Sequence, residues 1–198
     1  MNLYVIITKP VLGYTQIAEI CVRQKIPYLQ LREKELEDRQ LLRVARDIKS
    51  ITTGSQTKFI INDRLDLCLL SDADGIHLGQ DDFSYHDVKR LLPPDKLIGL
   101  STHDMNQVNE ALALKPDYIG FGPVYQTPTK TKPDPVVGTE LLRQVLKIAT
   151  IPVIAIGGID DTNIHEVVAV GAQNVCMVRY FMNCTDLEER INKIKETT

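Results

Sequence analysis

The sequence has no long hydrophobic run and little excess charge of either sign. None of its apolar runs approaches the roughly 20 residues that a membrane helix needs. No basic residue precedes the first apolar run, Leu3–Ile7, so we read no secretory signal. These absences predict a cytoplasmic protein with no membrane partner.

Positive charge is not in surplus: 23 Lys and Arg stand against 26 Asp and Glu, a net charge of -3. A general nucleic-acid binder would show a basic stripe, so nucleic acid is not an expected partner. The four cysteines contain no C-x-x-C pair and no zinc-ligand spacing, and we interpret them as reduced thiols. The composition is otherwise that of a globular protein, and 198 residues suffice for one core.

Short β-rich apolar runs alternate along the chain with longer helical stretches. Eight strands are predicted, at Leu3–Thr8, Tyr28–Leu31, Phe59–Asn62, Gly75–Leu78, Leu97–Ser101, Tyr118–Gly122, Val153–Ile156 and Val175–Val178. Eight helices are predicted between and after them, near 15–25, 36–51, 64–71, 85–92, 103–114, 139–149, 162–170 and 185–196. The last helix opens with Thr185-Asp186-Leu187-Glu188, which fits a capping box with Thr185 as the cap.

Eight strand–helix units predict an α/β protein, a single-domain (β/α)8 TIM barrel over residues 1–198. The alternative is an open doubly wound sheet, which would need a phosphate fingerprint after its first strand. No G-x-G-x-x-G follows Thr8, so the sequence favours the barrel. Because the active site of such a barrel lies at the carboxyl ends of its strands, those ends are where we seek chemistry.

Cations follow the second predicted strand. Alternation places Gln30, Arg32 and Lys34 on one side of an extended segment, where two cations make an anion clamp. The alternative is a solvated charge run.

Carboxylates follow the third and fourth predicted strands, in Asn62-Asp63-Arg64 and in Gly79-Gln80-Asp81-Asp82. Two carboxylates from separate strand ends could share Mg²⁺, which needs only one or two of them besides water and substrate phosphates. Helix capping is the alternative at each position.

Hydroxyls and glycines follow the later strands. Ser101 could bind a ligand or cap a helix, and the loop 123–137 carries Thr127, Thr129 and Lys130, groups that suit oxyanion binding. The turn Gly157-Gly158 and the pair Val178-Arg179 stand where this fold commonly binds phosphate. We interpret His77 as a core residue and His103 as part of the first turn of a helix. No nucleophile–base pair stands out, so the residues suit two anionic groups around Mg²⁺ better than covalent catalysis.

Six motifs, in order along the chain, resemble the thiamine phosphate synthase family. They are Gln30-Leu31-Arg32-Glu33-Lys34, Asn62-Asp63-Arg64, the run from Gly75 to Asp82, Gly120-Phe121-Gly122-Pro123, Thr127-Pro128-Thr129-Lys130 and the run from Ala155 to Ile159. The resemblance covers the chain from about Leu3 to Phe181. It implies a transferase of thiamine biosynthesis that joins 4-amino-2-methyl-5-hydroxymethylpyrimidine diphosphate to 4-methyl-5-hydroxyethylthiazole phosphate and releases pyrophosphate, by a dissociative path.

The resemblance also implies roles for single residues. The pyrimidine diphosphate would be held by Gln30, Arg32, Lys34, Asn62, Ser101 and Lys130, of which Arg32, Lys34, Ser101 and Lys130 would assist catalysis. Asp63 and Asp82 would hold the cofactor Mg²⁺. The thiazole phosphate would be held by Thr127, Thr129, Gly158, Val178 and Arg179. The substrates are small molecules, and a homo-oligomer is among the assemblies that the sequence allows.

Two alternatives remain open at this point. A thiazole tautomerase shares the fold, but that branch tends to carry a histidine where Pro123 stands, and it lacks the Thr-x-Thr-Lys run. A non-catalytic phosphate-binding relative finds support only in Arg179, which stands where the family usually has a small residue.

Overall fold

The computed structural model describes residues 1–127 and 134–197. Its strands are β1 (Asn2–Ile7), β2 (Tyr28–Leu31), β3 (Lys58–Asn62), β4 (Gly75–Leu78), β5 (Leu97–Thr102), β6 (Tyr118–Phe121), β7 (Val153–Ile156) and β8 (Asn174–Cys176). The helices of the described part are α1 (Tyr14–Arg23), α2 (Asp38–Thr52), α3 (Leu65–Ser71), α4 (Tyr85–Leu91), α5 (Met105–Leu114), α6 (Gly138–Ile148), α7 (Ile164–Ala169), α8 (Val178–Met182) and α9 (Leu187–Thr197).

The strands form a closed parallel barrel in chain order, and β8 pairs back onto β1 with Tyr4 opposite Cys176. The predicted (β/α)8 barrel is therefore confirmed, and the open sheet is excluded. That residues 1–198 make up one domain stays a prediction. In the described residues, no helix is long and apolar enough to cross a membrane.

Alternation along the strands divides the buried side chains into two groups. Residues such as Leu3, Val5 and Ile7 face outwards and pack under the helices in the main core. Tyr4 and Ile6 face inwards and pack with Tyr118, Ile154 and Cys176 in a smaller cluster. The inward-facing residues therefore lie directly beneath any site at the carboxyl ends of the strands.

The region after β7 differs from the prediction. β8 ends at Cys176, two residues before the predicted end, and Val178 begins the short helix α8, which the sequence analysis missed. The β-branched Val178 prolongs an apolar run that looks like a strand, but the backbone turns at Met177. Val178 and Arg179 are thus the first two residues of a helix.

The predicted capping box is also wrong in its register. Asp186, one residue after Thr185, accepts a hydrogen bond from the backbone N–H of Glu189 at 2.9 Å. The Glu188 carboxylate, which the box would turn back onto the helix, instead accepts from Arg23 of α1 at 2.9 Å. A tertiary ion pair therefore takes the place of the local motif.

Candidate active site

A two-lobed cavity opens at the carboxyl ends of the strands. The larger lobe has a volume of about 990 Å³ and lies above β2, β3, β4 and β5. The smaller lobe has a volume of about 350 Å³ and lies above β6, β7 and β8. Ten residues line both lobes, so the two spaces join: Ile6, Thr8, Arg32, Ser101, His103, Asp134, Ile156, Val178, Arg179 and Asn183.

The predicted cation segment borders the larger lobe. Gln30 is buried inside the barrel, where its amide donates to the Tyr4 hydroxyl at 2.8 Å. Arg32 and Lys34 follow it into the lobe. The Glu33 carboxylate fixes the strand end, because it accepts from the backbone N–H of both Lys9 and Lys34 at 3.0 Å. Both cations thus line one cavity beside an ordered backbone.

The structure brings Asp63 and Asp82 together. Asp63 directly follows β3 in a left-handed conformation (φ 61°), which aspartate tolerates better than most residues. Its carboxyl group lies within hydrogen-bond reach of Asp82 and 3.5 Å from the Lys34 ammonium. Asp82 is held in turn by the backbone N–H of Gly79 at 2.6 Å. Two carboxylates from separate strand ends therefore share one position at the rim of the larger lobe.

This arrangement changes the protonation of Asp63. Burial first, and the neighbouring Asp82 second, raise the pKa of Asp63 to about 6, against the opposing effect of Lys34 and Arg32. Two like charges held close in a part-buried place repel, and either a proton or a cation relieves the repulsion. The pair is thus poised to take up a positive ion, and its oxygen atoms are the ligands that a hard divalent cation prefers. No group of three or more His, Cys, Asp or Glu side chains arranged to hold a metal occurs in residues 1–127 and 134–197.

Asn62 and Ser101 line the same lobe. His77, interpreted from sequence as a core residue, stands beside them: its Nε2 lies 2.9 Å from the Ser101 hydroxyl. The signal that could have found it is its inward position on β4, one residue before the strand ends at Leu78. Gln80, named in the sequence motif but given no role there, donates from its amide to the backbone carbonyl of Ser101 at 2.6 Å.

His103 lies before α5 and not within its first turn, since the helix begins at Met105 with Asp104 as its cap. Its Nδ1 is 2.5 Å from the carbonyl oxygen of Gly122, and its Nε2 is 3.5 Å from the Asp134 carboxylate. One imidazole therefore contacts both ends of the β6–α6 loop. Asp134 itself gave no signal in the sequence analysis.

Glycine geometry shapes the smaller lobe. Gly157 and Gly158 both have positive φ, 101° and 66°. A side chain on Gly158 would meet the Gln126 carbonyl oxygen at 2.6 Å and Tyr125 at 2.7 Å. The glycine pair thus lets the β6–α6 loop lie directly against the end of β7, and it also lines the lobe.

Thr127, Val178 and Arg179 complete the predicted residues of this lobe. Arg179 is exposed and lines both lobes, so it is placed to reach an anion in either. Asn183, one turn further along the chain, lines both lobes too and was not predicted. Thr129 and Lys130 lie outside the described residues.

Comparisons with known proteins agree with one another. The family model described as thiamine monophosphate synthase matches residues 3–181. A thiamine-phosphate synthase from Persephonella marina is 38% identical over 200 residues, covering 98% of this chain and 94% of that protein. One from Dictyoglomus turgidum is 39% identical over 169 residues, covering 85% and 76%.

Two solved structures are similar to this one over almost the whole chain. A thiamine phosphate pyrophosphorylase from Pyrococcus furiosus superposes with a TM-score of 0.87 at 27% identity, covering 98% of this chain and 94% of that one. A geranylgeranylglyceryl phosphate synthase from Thermoplasma acidophilum, bound to sn-glycerol-1-phosphate, superposes with a TM-score of 0.72 at 17% identity, covering 99% and 92%. The second likeness concerns the fold alone.

Proposed function

Because this chain belongs to the thiamine monophosphate synthase family, we propose that it transfers an aminopyrimidinylmethyl group from its diphosphate to a thiazole phosphate. The products are thiamine phosphate and pyrophosphate. The observation that carries the proposal is the two-lobed cavity, with cations and paired carboxylates in one lobe and a glycine turn beside a helix start in the other. Two anionic substrates can therefore lie side by side with their reacting ends at the junction.

The larger lobe is proposed to hold the pyrimidine diphosphate. Arg32 and Lys34 are the cations there, with Lys130 added from the sequence, while Gln30, Asn62 and Ser101 offer hydrogen bonds to the ring and phosphates. Opposite charge placed in advance around a leaving group stabilises the charge that develops on it. These residues would thus favour departure of pyrophosphate.

Asp63 and Asp82 are proposed to hold Mg²⁺. Burial and the neighbouring Asp82 together raise the pKa of Asp63, and a divalent cation between the two carboxylates would offset both effects. When bound, the ion would neutralise diphosphate oxygens and help to orient them. With Asp63 ionised, Lys34 at 3.5 Å from it stays in place beside the phosphates.

The smaller lobe is proposed to hold the thiazole phosphate. Its wall combines the Gly158 turn with the start of α8 at Val178, and phosphate in this fold commonly lies between the loops after strands seven and eight and a short extra helix. Thr127 and, from the sequence, Thr129 would add hydroxyl contacts. Arg179 would add a charge where the family usually has a small residue.

The chemistry needs no nucleophile from the protein. The aminopyrimidine can delocalise the positive charge left on its methylene carbon as pyrophosphate leaves, and the thiazole nitrogen then attacks that carbon. What the chain supplies is alignment of two substrates and stabilisation of the leaving charge.

The test is a direct assay. Protein, the pyrimidine diphosphate, the thiazole phosphate and Mg²⁺ are mixed, and thiamine phosphate is measured as fluorescent thiochrome, with an EDTA control. Product that depends on Mg²⁺ is expected. Binding without product would favour the tautomerase or the non-catalytic relative, neither of which the curated relatives support.

The metal assignment has its own test. Asp82→Ala removes one of the two carboxylates, so turnover with Mg²⁺ is expected to fall about 100-fold or more while circular dichroism stays native. Asp95→Asn, an exposed carboxylate between α4 and β5 at the opposite end of the barrel, is the matched control. Near-normal turnover in Asp82→Ala would contradict the assignment.

Cytoplasmic location, and a homo-oligomer as one assembly that the sequence allows, complete the proposal. They follow from the sequence expectations above, and size-exclusion chromatography with light scattering tests the second.

A further inference from the structure

A line of hydrogen bonds crosses the barrel interior beneath the larger lobe. It runs from the Gln30 amide to the Tyr4 hydroxyl (2.8 Å), on to the Tyr118 hydroxyl (2.7 Å), to Nδ1 of His77 (3.2 Å), and from Nε2 of His77 to the Ser101 hydroxyl (2.9 Å). Gln30, His77 and Ser101 line the larger lobe, whereas Tyr4 and Tyr118 are buried below it. The interior line thus joins two residues of the substrate site from underneath.

The donors and acceptors along this line fix which group donates to which. The amide nitrogen of Gln30 can only donate, so the Tyr4 oxygen accepts from it. The Tyr4 hydrogen then goes to Tyr118, its acceptor among the described residues.

The next hydrogen bonds run from Tyr118 towards the cavity. Since Tyr118 accepts from Tyr4, it gives its own hydrogen to Nδ1 of His77. The imidazole is then neutral and carries its hydrogen on Nε2, which donates to Ser101.

Burial supports this direction. It raises the pKa of both Tyr4 and Tyr118, so both remain protonated phenols with a hydrogen to place. In the reverse direction Tyr118 would donate to Tyr4, and the buried Tyr4 hydrogen would find no acceptor in residues 1–127 and 134–197, which is costly in a protein interior. Close packing also holds the rings: a side chain on Gly99 would meet the Tyr118 ring at 2.1 Å.

We propose that Tyr4, Tyr118 and His77 are positioning residues that make Ser101 a hydrogen-bond donor to the cavity. Because Ser101 accepts from His77, its own hydroxyl hydrogen points to a ligand in the larger lobe. The acceptor there would be an atom of the pyrimidine diphosphate, so this step rests on the proposed function. Two phenols with no access to the substrate would thereby contribute to its alignment.

The first test needs no substrate. Imidazole nitrogen chemical shifts in an NMR spectrum distinguish the two neutral tautomers from the cation, and His77→Gln identifies the His77 signals among the four histidines. At neutral pH we expect His77 to be neutral with its hydrogen on Nε2. A hydrogen on Nδ1, or a charged ring, overturns the proposal.

The second test measures turnover. Tyr118→Phe keeps the ring and removes the hydroxyl, so kcat is expected to fall about tenfold and the His77 signals to shift. Tyr28→Phe is the matched control: its ring centroid lies 5.5 Å from those of Tyr4 and Tyr118, but its hydroxyl is not part of the line. Normal kcat and unshifted His77 signals in Tyr118→Phe would overturn the proposal.

A double variant separates positioning from general damage. If Tyr118 acts through Ser101, Tyr118→Phe adds no further loss of kcat in a Ser101→Ala background, whereas additive losses contradict it. Should Tyr118→Phe fail to fold, Tyr4→Phe tests the same line, with a smaller loss because the Tyr118–His77 contact remains. A wild-type protein without turnover would contradict the proposed function but leave the tautomer result standing.

Discussion

The Asp63 carboxyl group lies among charges of both signs. Burial first, and Asp82 second, favour its neutral form, whereas Lys34 and Arg32 favour its ionised form, with a net rise of the pKa to about 6. The unfolded chain, by contrast, has the ordinary value of 3.8. Ionised Asp63 therefore lowers the free energy of unfolding of the metal-free protein. The proposed function nevertheless needs this carboxylate, as a ligand of Mg²⁺.

The raised pKa of Asp63 predicts how the stability of the metal-free protein depends on pH. The folded pKa lies above the unfolded one, so the favourable contribution of protonated Asp63 is present below about pH 4 and is lost as the pH rises through about 6. Asp63→Asn should raise the free energy of unfolding at pH 7.5 in EDTA by about 1 kcal/mol, and by much less near pH 4.5. Thermal unfolding at both pH values measures it.

The same variant should have a lower turnover than wild type, since Asp63→Asn removes a proposed Mg²⁺ ligand. Asp95→Asn serves as the control and should change neither property. Equal stability of Asp63→Asn and wild type at pH 7.5 would show that Asp63 is not strained by its neighbours.

Single elements decide the shape of the smaller lobe. The β6–α6 loop lies on the end of β7 through backbone hydrogen bonds of 2.9 Å, from Val124 to Ile156 and from Tyr125 to Gly157. Only glycine fits at position 158 beneath this loop. The lobe therefore depends on contact between two loops that are about 30 residues apart in the chain.

Gly158→Ala should displace the loop. The variant suffers both left-handed strain and a clash, so the free energy of unfolding should fall by about 1–3 kcal/mol and the KM for the thiazole phosphate should rise. Gly54→Ala has a similar φ of 77° but open space around its Cβ, and it should lose stability without any change in KM. An unchanged KM for the thiazole phosphate in Gly158→Ala would show that the Gly157-Gly158 turn does not shape the thiazole site.

The start of α9 offers a second element test. Because Asp186 caps the helix, Asp186→Ala should lower the free energy of unfolding by about 1 kcal/mol, as judged by urea denaturation. Thr185→Ala, which would remove the cap of the predicted box, should have little effect. A larger loss of stability in Thr185→Ala than in Asp186→Ala would support the predicted capping box instead.

The molecule as a whole carries a net charge of -3. Its barrel nevertheless collects Arg32, Lys34 and Arg179 around one cavity at one end. The same lobe is also lined by carboxylates, namely Glu33, Glu35, Asp63, Asp81, Asp82 and Asp134. Anionic substrates would therefore be held by direct contact with these cations and not by the summed charge of the lobe or of the molecule.

Salt should reveal this local field. Raising the ionic strength from about 0.05 M to about 0.5 M shortens the screening length from roughly 14 to 4 Å, so the KM of the pyrimidine diphosphate should rise several-fold. The melting temperature should change little over the same range. A KM independent of salt would show that the cations do not contact the diphosphate.

The sequence by itself determined the class of fold and the residue types of the site. Eight alternating apolar segments admit few arrangements, and the inward and outward sides of each strand can be read from its period of two. Gln30, Arg32, Lys34, Asn62, Asp63 and Asp82 are found where that reasoning put them, along one lobe. Such local patterns suffice because the barrel brings every strand's carboxyl end to the same side.

Only the tertiary structure decided how these groups act on one another. The pKa of Asp63 depends on its burial and on Asp82, which follows the neighbouring strand. His77 contacts Tyr118 and Ser101, and Glu188 pairs with Arg23 of α1 while Asp186 caps α9. Val178, predicted to end a strand, instead begins α8, because the backbone turns at Met177 after the three-residue β8. Each of these depends on distances between groups far apart in the chain, and closing the barrel is what sets those distances.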